Sequence, residues 1–142
     1  MADKKKRQKN NRNGNKVAEK VPVKEYKSFL YMLPENITAK EMAGKLPFME
    51  REAVEVWTEV NLLELTLENG TFTFEDMMED LNGEEDAALL EKLEVKQVYA
   101  CDYEASDAES VQKIMKCLIE TVGGFMASDT EDFEPFVKVE EL

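Results

Sequence analysis

Residues Leu62-Leu63-Glu64-Leu65-Thr66-Leu67-Glu68-Asn69-Gly70-Thr71-Phe72-Thr73-Phe74 carry the pattern from which the fold is read. Two alternating runs flank Glu68-Asn69-Gly70, and Asn-Gly is the strongest short hairpin signal, because both residues tolerate the left-handed backbone a tight turn needs. A two-residue turn pairs Leu67 with Phe72 and Leu65 with Phe74 on one face. The same register sets Glu68 against Thr71 and Thr66 against Thr73 on the other, so turn chemistry and apolar alternation agree.

Upstream, the spacing predicts three helices. Tyr26, Phe29, Leu30 and Leu33 recur at i, i+3, i+4 and i+7, an amphipathic stripe that Pro34 stops. Thr38 stands three residues before Glu41, the pattern of a capping box opening a second helix over 39–46, with Met42 and Leu46 facing inward. A third helix over 49–60 gathers Met49, Ala53, Val56, Trp57 and Val60 on one face, with Asn61 as a left-handed cap.

Downstream, Met77, Met78 and Leu81 suggest a short helix broken at Asn82-Gly83, and Ala87, Leu90 and Leu93 suggest another. Residues 95–103 alternate as a strand. Ser106 to Glu109 repeats the capping pattern before the stripe Val111, Ile114, Met115, Leu118, Ile119 and Val122, which Gly123-Gly124 ends. Residues 125–127 and 136–139 are candidate strands around the acidic loop 128–132. The expected fold class is therefore α+β: an N-terminal three-helix plus β-hairpin lobe, 25–76, followed by an acidic C-terminal β-α-β lobe, 77–142, its strands parallel through a right-handed crossover.

Three helices and a hairpin, with a second helix reading Thr38-Ala39-Lys40-Glu41-Met42-Ala43-Gly44-Lys45-Leu46, resemble a winged helix-turn-helix domain. The family commonly has a Thr or Ser cap, a small residue mid-helix (here Ala43) and a closing Leu (here Leu46). The resemblance implies that residues 25–76 form the domain, with the Asn-Gly hairpin as its wing. It also implies a third helix that would enter the major groove, where affinity comes from Lys and Arg on phosphates. Residues 49–60 instead carry Glu50, Glu52, Glu55 and Glu59 against Arg51 alone. Such a surface repels a polyanion and suits the protein-binding members of the family.

Charge is divided along the chain. Residues 1–24 hold nine Lys/Arg against Asp3 and Glu19, a net +7, which leaves −20 on the rest of a chain whose total is −13. The first segment is nearly free of large apolar residues and is expected to be a disordered basic arm. Its Lys4, Lys5, Lys6, Arg7, Lys9, Arg12 and Lys16 form a candidate anion-binding set for nucleic acid, phospholipid or the acidic body of the same chain.

Other chemistry has little support. The chain has no His, and Cys101 and Cys117 lack metal-ligand spacing. The acidic runs Asp102-x-Glu104-x-x-Asp107 and Asp129-x-Glu131-Asp132 follow predicted strands, but neither matches the twelve-residue calcium loop. No nucleophile elbow or phosphate-cradling glycine loop is found. No apolar stretch reaches the ~20 residues of a membrane span. The expectation is a non-enzymatic cytoplasmic interaction or regulatory module without metal or cofactor and with no membrane association. A basic protein partner would dock on Glu50, Glu52, Glu55 and Glu59, and a Met77-Met78 patch is a candidate groove. The alternative is a nucleic-acid-associated regulator that binds through the arm.

Overall fold

The computed structural model describes residues 25–142. The expected arm, with Lys4, Lys5, Lys6, Arg7, Lys9, Arg12 and Lys16, lies outside the described residues.

Residues Tyr26–Leu33 are a strand, β1, and not the first of three helices. Helical spacing arises here by coincidence, because Phe29 to Leu33 are all buried. A strand covered on both faces loses its alternation and reads as a continuous apolar run. The third expected helix is also absent: Arg51–Ala53 form a 3₁₀ turn and Val54–Trp57 form β2. Val54 and Val56 pack inward while Glu55 and Trp57 are exposed, a period of two that the Ala53, Val56, Trp57, Val60 stripe overlaps. The three-helix arrangement expected for 25–76 is therefore replaced by one that is mostly β.

The remaining strands are β3 (Leu62–Thr66), β4 (Thr71–Asp76), β5 (Gln97–Glu104), β6 (Phe125–Ala127) and β7 (Phe136–Val137). They join in one seven-stranded sheet of order β2-β3-β4-β5-β1-β6-β7, with every neighbouring pair antiparallel. Because β4 pairs with β5, residues 25–76 and 77–142 share this sheet. The expected β-α-β unit is opened: β5 and β6 both run antiparallel to β1, which lies between them.

The hairpin is present, but its register differs from the expected one. Leu65 pairs with Phe72 and Leu63 with Phe74, two residues off, and a four-residue loop closes through Leu67 N donating to Gly70 O at 2.8 Å. A two-residue shift keeps every side chain on its expected face. The tip is anchored from outside the hairpin. Buried Asp107 accepts from Asn69 N at 3.0 Å and Asn69 Nδ2 at 2.9 Å, and Gly70 lies against Tyr26 and Glu104.

Among the described residues, three α-helices flank the sheet. The capping box opens α1 (Ala39–Ala43) as its sequence predicts: Glu41 N donates to Thr38 Oγ1 at 3.1 Å, and Thr38 N donates to Glu41 Oε1 at 2.9 Å. The second bond, from the Thr38 backbone, is the main cause holding the Glu41 carboxyl below its ordinary range, followed by the Thr38 hydroxyl. A carboxyl lowered on folding contributes stability above its unfolded pKa and loses it as pH falls through the folded value. Acidification is thus expected to fray α1 before α3 (Ala108–Val122), as amide exchange at Met42 against Ile114 would show.

On one face α1 and α3 cover a core that includes Phe29, Tyr31, Leu63, Phe72, Tyr99 and Tyr103. Phe72 lies 4.5 Å from Phe74 and about 6 Å from Phe29 and Tyr103 between ring centroids. Val111, Ile114, Met115 and Leu118 bring the apolar stripe of α3 onto this core. On the other face α2 (Glu84–Lys92) and Phe133 cover only part of the sheet, packing on Leu30, Met32, Val98 and Ala127. Among the described residues, no helix lies over the portion built from β2, β3 and β4 on that side.

Candidate functional site

The uncovered half-face follows from alternation. Once Leu63, Leu65, Phe72 and Phe74 point into the core, Leu62, Glu64, Thr66, Thr71, Thr73 and Glu75 must point the other way. The pairing aligns them in rows. Glu55 stands opposite Glu64, Glu64 opposite Thr73, Thr73 opposite Asp102, and Asp102 opposite Ser28. The adjacent row runs Trp57, Leu62, Glu75 and Ala100.

No cation interrupts these rows. Residues 52–91 contain 13 Asp/Glu and not one Lys or Arg, so none of the three open strands can supply a neutralising partner. Glu55 directly opposite Glu64 is a like-charge pair, an arrangement that costs stability in a sheet. A fold that needed only solubility would do better with mixed charges here.

The acidic surface continues past the strand ends into a recess of about 410 Å³, lined by Glu59, Glu75, Asp76, Glu79 and Asp80 together with Thr58, Val60, Asn61, Leu62 and Met78. Trp57, 45% exposed, pairs with Leu62 at its edge. Asp76 is held by the protein itself, accepting from Asn61 Nδ2 at 2.8 Å through Oδ2 and from Met78 N at 2.8 Å through Oδ1. The other four carboxylates project from exposed residues. Among the described residues no group of three or more His, Cys, Asp or Glu is placed to hold a metal ion. The arrangement is a broad negative field with an aromatic ring at its rim, which suits several spaced cations better than one coordinated ion.

The residues singled out from sequence separate in space. Glu50 precedes the 3₁₀ turn and Glu52 lies within it, Glu55 is on the open face, and Glu59 lines the recess. They do not form a helix surface, because 49–60 is not a helix. The sequence shows Asp102 only as part of an acidic run and does not show its alignment with Glu64, although Glu64 among leucines and Asp102 between Cys101 and Tyr103 occupy outward positions of alternating runs. Within the first acidic run, Glu104 accepts from Ser106 N at 2.8 Å and Asp107 holds the hairpin tip. The run Asp129-Glu131-Asp132 lies in the exposed loop between β6 and β7, where Asp132 accepts from Glu134 N at 3.1 Å.

Met77 and Met78 pack against the smaller core, and Met78 also lines a groove of about 640 Å³ with Leu81, Ala87, Leu90 and Val95. Glu35, Glu91, Glu94 and Lys96 complete its lining. Cys101 is fully buried, and burial above all pushes its thiol pKa up, so it stays a neutral thiol. Cys117 is half-buried, its Sγ 3.5 Å from Lys45 O. No helix among the described residues is long and apolar enough to cross a membrane. Comparison with protein-family models, curated proteins and solved structures finds no match to this chain.

Proposed function

We propose that this protein is a binding module whose uncovered acidic sheet face takes an extended Lys/Arg-rich protein segment. The observation that carries the reading is the cross-strand ladder Glu55, Glu64, Thr73, Asp102 and Ser28, on which two glutamates stand directly opposed and none of the paired residues is a base. Repulsion held in the free protein is relieved when a polycation lies over the ladder, so the same feature that costs folding stability favours association. Charge of one sign over a broad face also speeds encounter with an oppositely charged ligand. A Lys or Arg of the segment would enter the recess of Glu59, Glu75, Glu79 and Asp80, beside the Trp57 ring.

The reading separates stability from binding in a way that a single substitution tests. Glu64→Lys replaces a like-charge pair with a Glu55–Lys pair and is expected to stabilise the fold by about 0.5–1 kcal/mol. The same change should weaken binding of a short Lys/Arg-rich peptide by about tenfold or more. Urea midpoints and calorimetric titration of the full chain give both quantities. Lower stability with unchanged peptide affinity would count against the reading.

A further inference from the structure

The acidic face is bordered by the point where the described chain begins. Glu25 N donates to Glu104 Oε1 at 3.3 Å, and Tyr26 and Ser28 face the same side as Asp102 and Glu64. Immediately upstream lie residues 1–24, whose nine Lys/Arg against two acids give +7. A strongly basic segment thus enters at the edge of a strongly acidic face in one polypeptide.

We propose that residues 1–24 are the resident occupant of this face, lying across it in cis with their Lys and Arg over Asp102, Glu64 and Glu55 and thereby inhibiting access by an external basic segment. The inference rests on the binding role proposed above and adds its regulation. Reach is not limiting. From β1 to β2 the face spans four interstrand steps, about 19 Å. The segment extends up to ~80 Å at ~3.3 Å per residue. About six extended residues suffice to cross the ladder, and the densest basic run, Lys4 to Lys9, lies well beyond that many residues upstream of Glu25, so it reaches the recess of Glu59, Glu79 and Asp80 with chain to spare. Tethering supplies an effective concentration on the order of millimolar, so modest contact strength is enough to keep the face occupied. Attraction between opposed charges is also the term most easily overcome by a more basic competitor or by salt.

The test compares the full natural chain with a full-length variant in which Lys4, Lys5, Lys6, Arg7, Lys9, Arg12 and Lys16 are changed to Gln. Amide shifts of Ser28, Thr66, Thr73 and Asp102 should differ between the two at low salt, those of Ile114 and Leu118 in α3 should not, and high salt should remove the difference. A short Lys/Arg-rich peptide should bind the variant about tenfold more tightly than the natural chain. Equal peptide affinity, with no shift difference on the face, would overturn self-occupancy and leave the binding role standing. Binding to neither protein would remove the binding role itself. Shift differences that grow with protein concentration would assign the face to a neighbouring copy's segment and overturn the arrangement in cis. Polyuridine that binds the natural chain without altering the face amides would show residues 1–24 free to take nucleic acid, which would also overturn it.

Discussion

Gly124→Ala is expected to destabilise the protein by about 3–4 kcal/mol, near the upper end of single-residue effects. Gly124 has φ of +92°, where an L side chain is strained, and a Cβ there would sit 2.4 Å from Met32 O. That oxygen belongs to the backbone of β1, fixed between β5 and β6, and cannot retreat as a side-chain tip could. Tyr31 Cε1 at 3.0 Å and Leu33 Cδ2 at 3.1 Å close the remaining space. The position matters to the whole fold because α3 must turn abruptly there to deliver β6 alongside β1. Two neighbours in kind provide the scale. Gly123 has φ of +85° but nothing nearer than Pro34 Cγ at 3.9 Å, so Gly123→Ala should cost only the backbone term, about 1–2 kcal/mol. Gly83 caps α2 at φ of −73°, a Cβ there would meet only Asp86 Oδ2 at 4.0 Å, and Gly83→Ala should change stability by no more than about 1 kcal/mol. Urea midpoints for the three variants should fall in that order.

The second large effect is expected at Asn61, where one side chain joins four parts of the fold. Its Oδ1 accepts from Ala39 N, the first amide of α1, at 2.7 Å, which orients the amide so that Nδ2 donates to Asp76 Oδ2 at 2.8 Å and Tyr99 OH at 2.9 Å. Tyr99 OH in turn donates to Ile37 O. Burial foremost, with the Asp76 and Glu41 carboxylates adding, raises the Tyr99 hydroxyl pKa well above its ordinary value, so it remains a neutral donor at any working pH. Asn61 itself lies at φ of +53°, a conformation that Asn tolerates better than most residues. Asn61→Ala removes all three bonds and leaves the N–H of buried Ala39 without its acceptor, an expected loss of about 2–4 kcal/mol. Asn61→Gly would relieve the backbone but recover little, whereas a loss under about 1 kcal/mol for the alanine variant would mean that the network adds little to stability. Asn61→Asp keeps the bond from Ala39 N but sets a second carboxylate against Asp76. Its deficit should therefore shrink as the pH is lowered and one of the two takes a proton.

The sequence's local signals were legible where one face of an element met water. The α3 stripe and the Thr38 capping box each reported the structure, and the Asn-Gly hairpin did so for its faces. What failed was the reading of segments whose environment is set at long range. β1 is covered on both sides, so Phe29-Leu30-Tyr31-Met32-Leu33 showed no alternation, and its partners in β5 lie some 70 residues away in the chain. β2 is four residues long, too short for a period of two to outweigh a chance helical stripe. The hairpin register depended on Asp107 gripping Asn69, a contact 38 residues distant. The acidic character of the surface was plain from composition. Its organisation into one ladder was not, because Glu55, Glu64, Asp102 and Ser28 meet only through strand pairing.

That ladder is what the proposed binding role stands on, and its position gives a direct measurement. Titrating a short Lys/Arg-rich peptide into the ¹⁵N-labelled full chain, the role predicts saturable shifts at Ser28, Glu55, Glu64, Thr73 and Asp102, with Ile114 and Leu118 of α3 unmoved. Those shifts should be lost when Gln replaces the peptide's Lys and Arg. Shifts confined to the groove at Leu81, Ala87 and Leu90, or no saturable shifts at all, would contradict it.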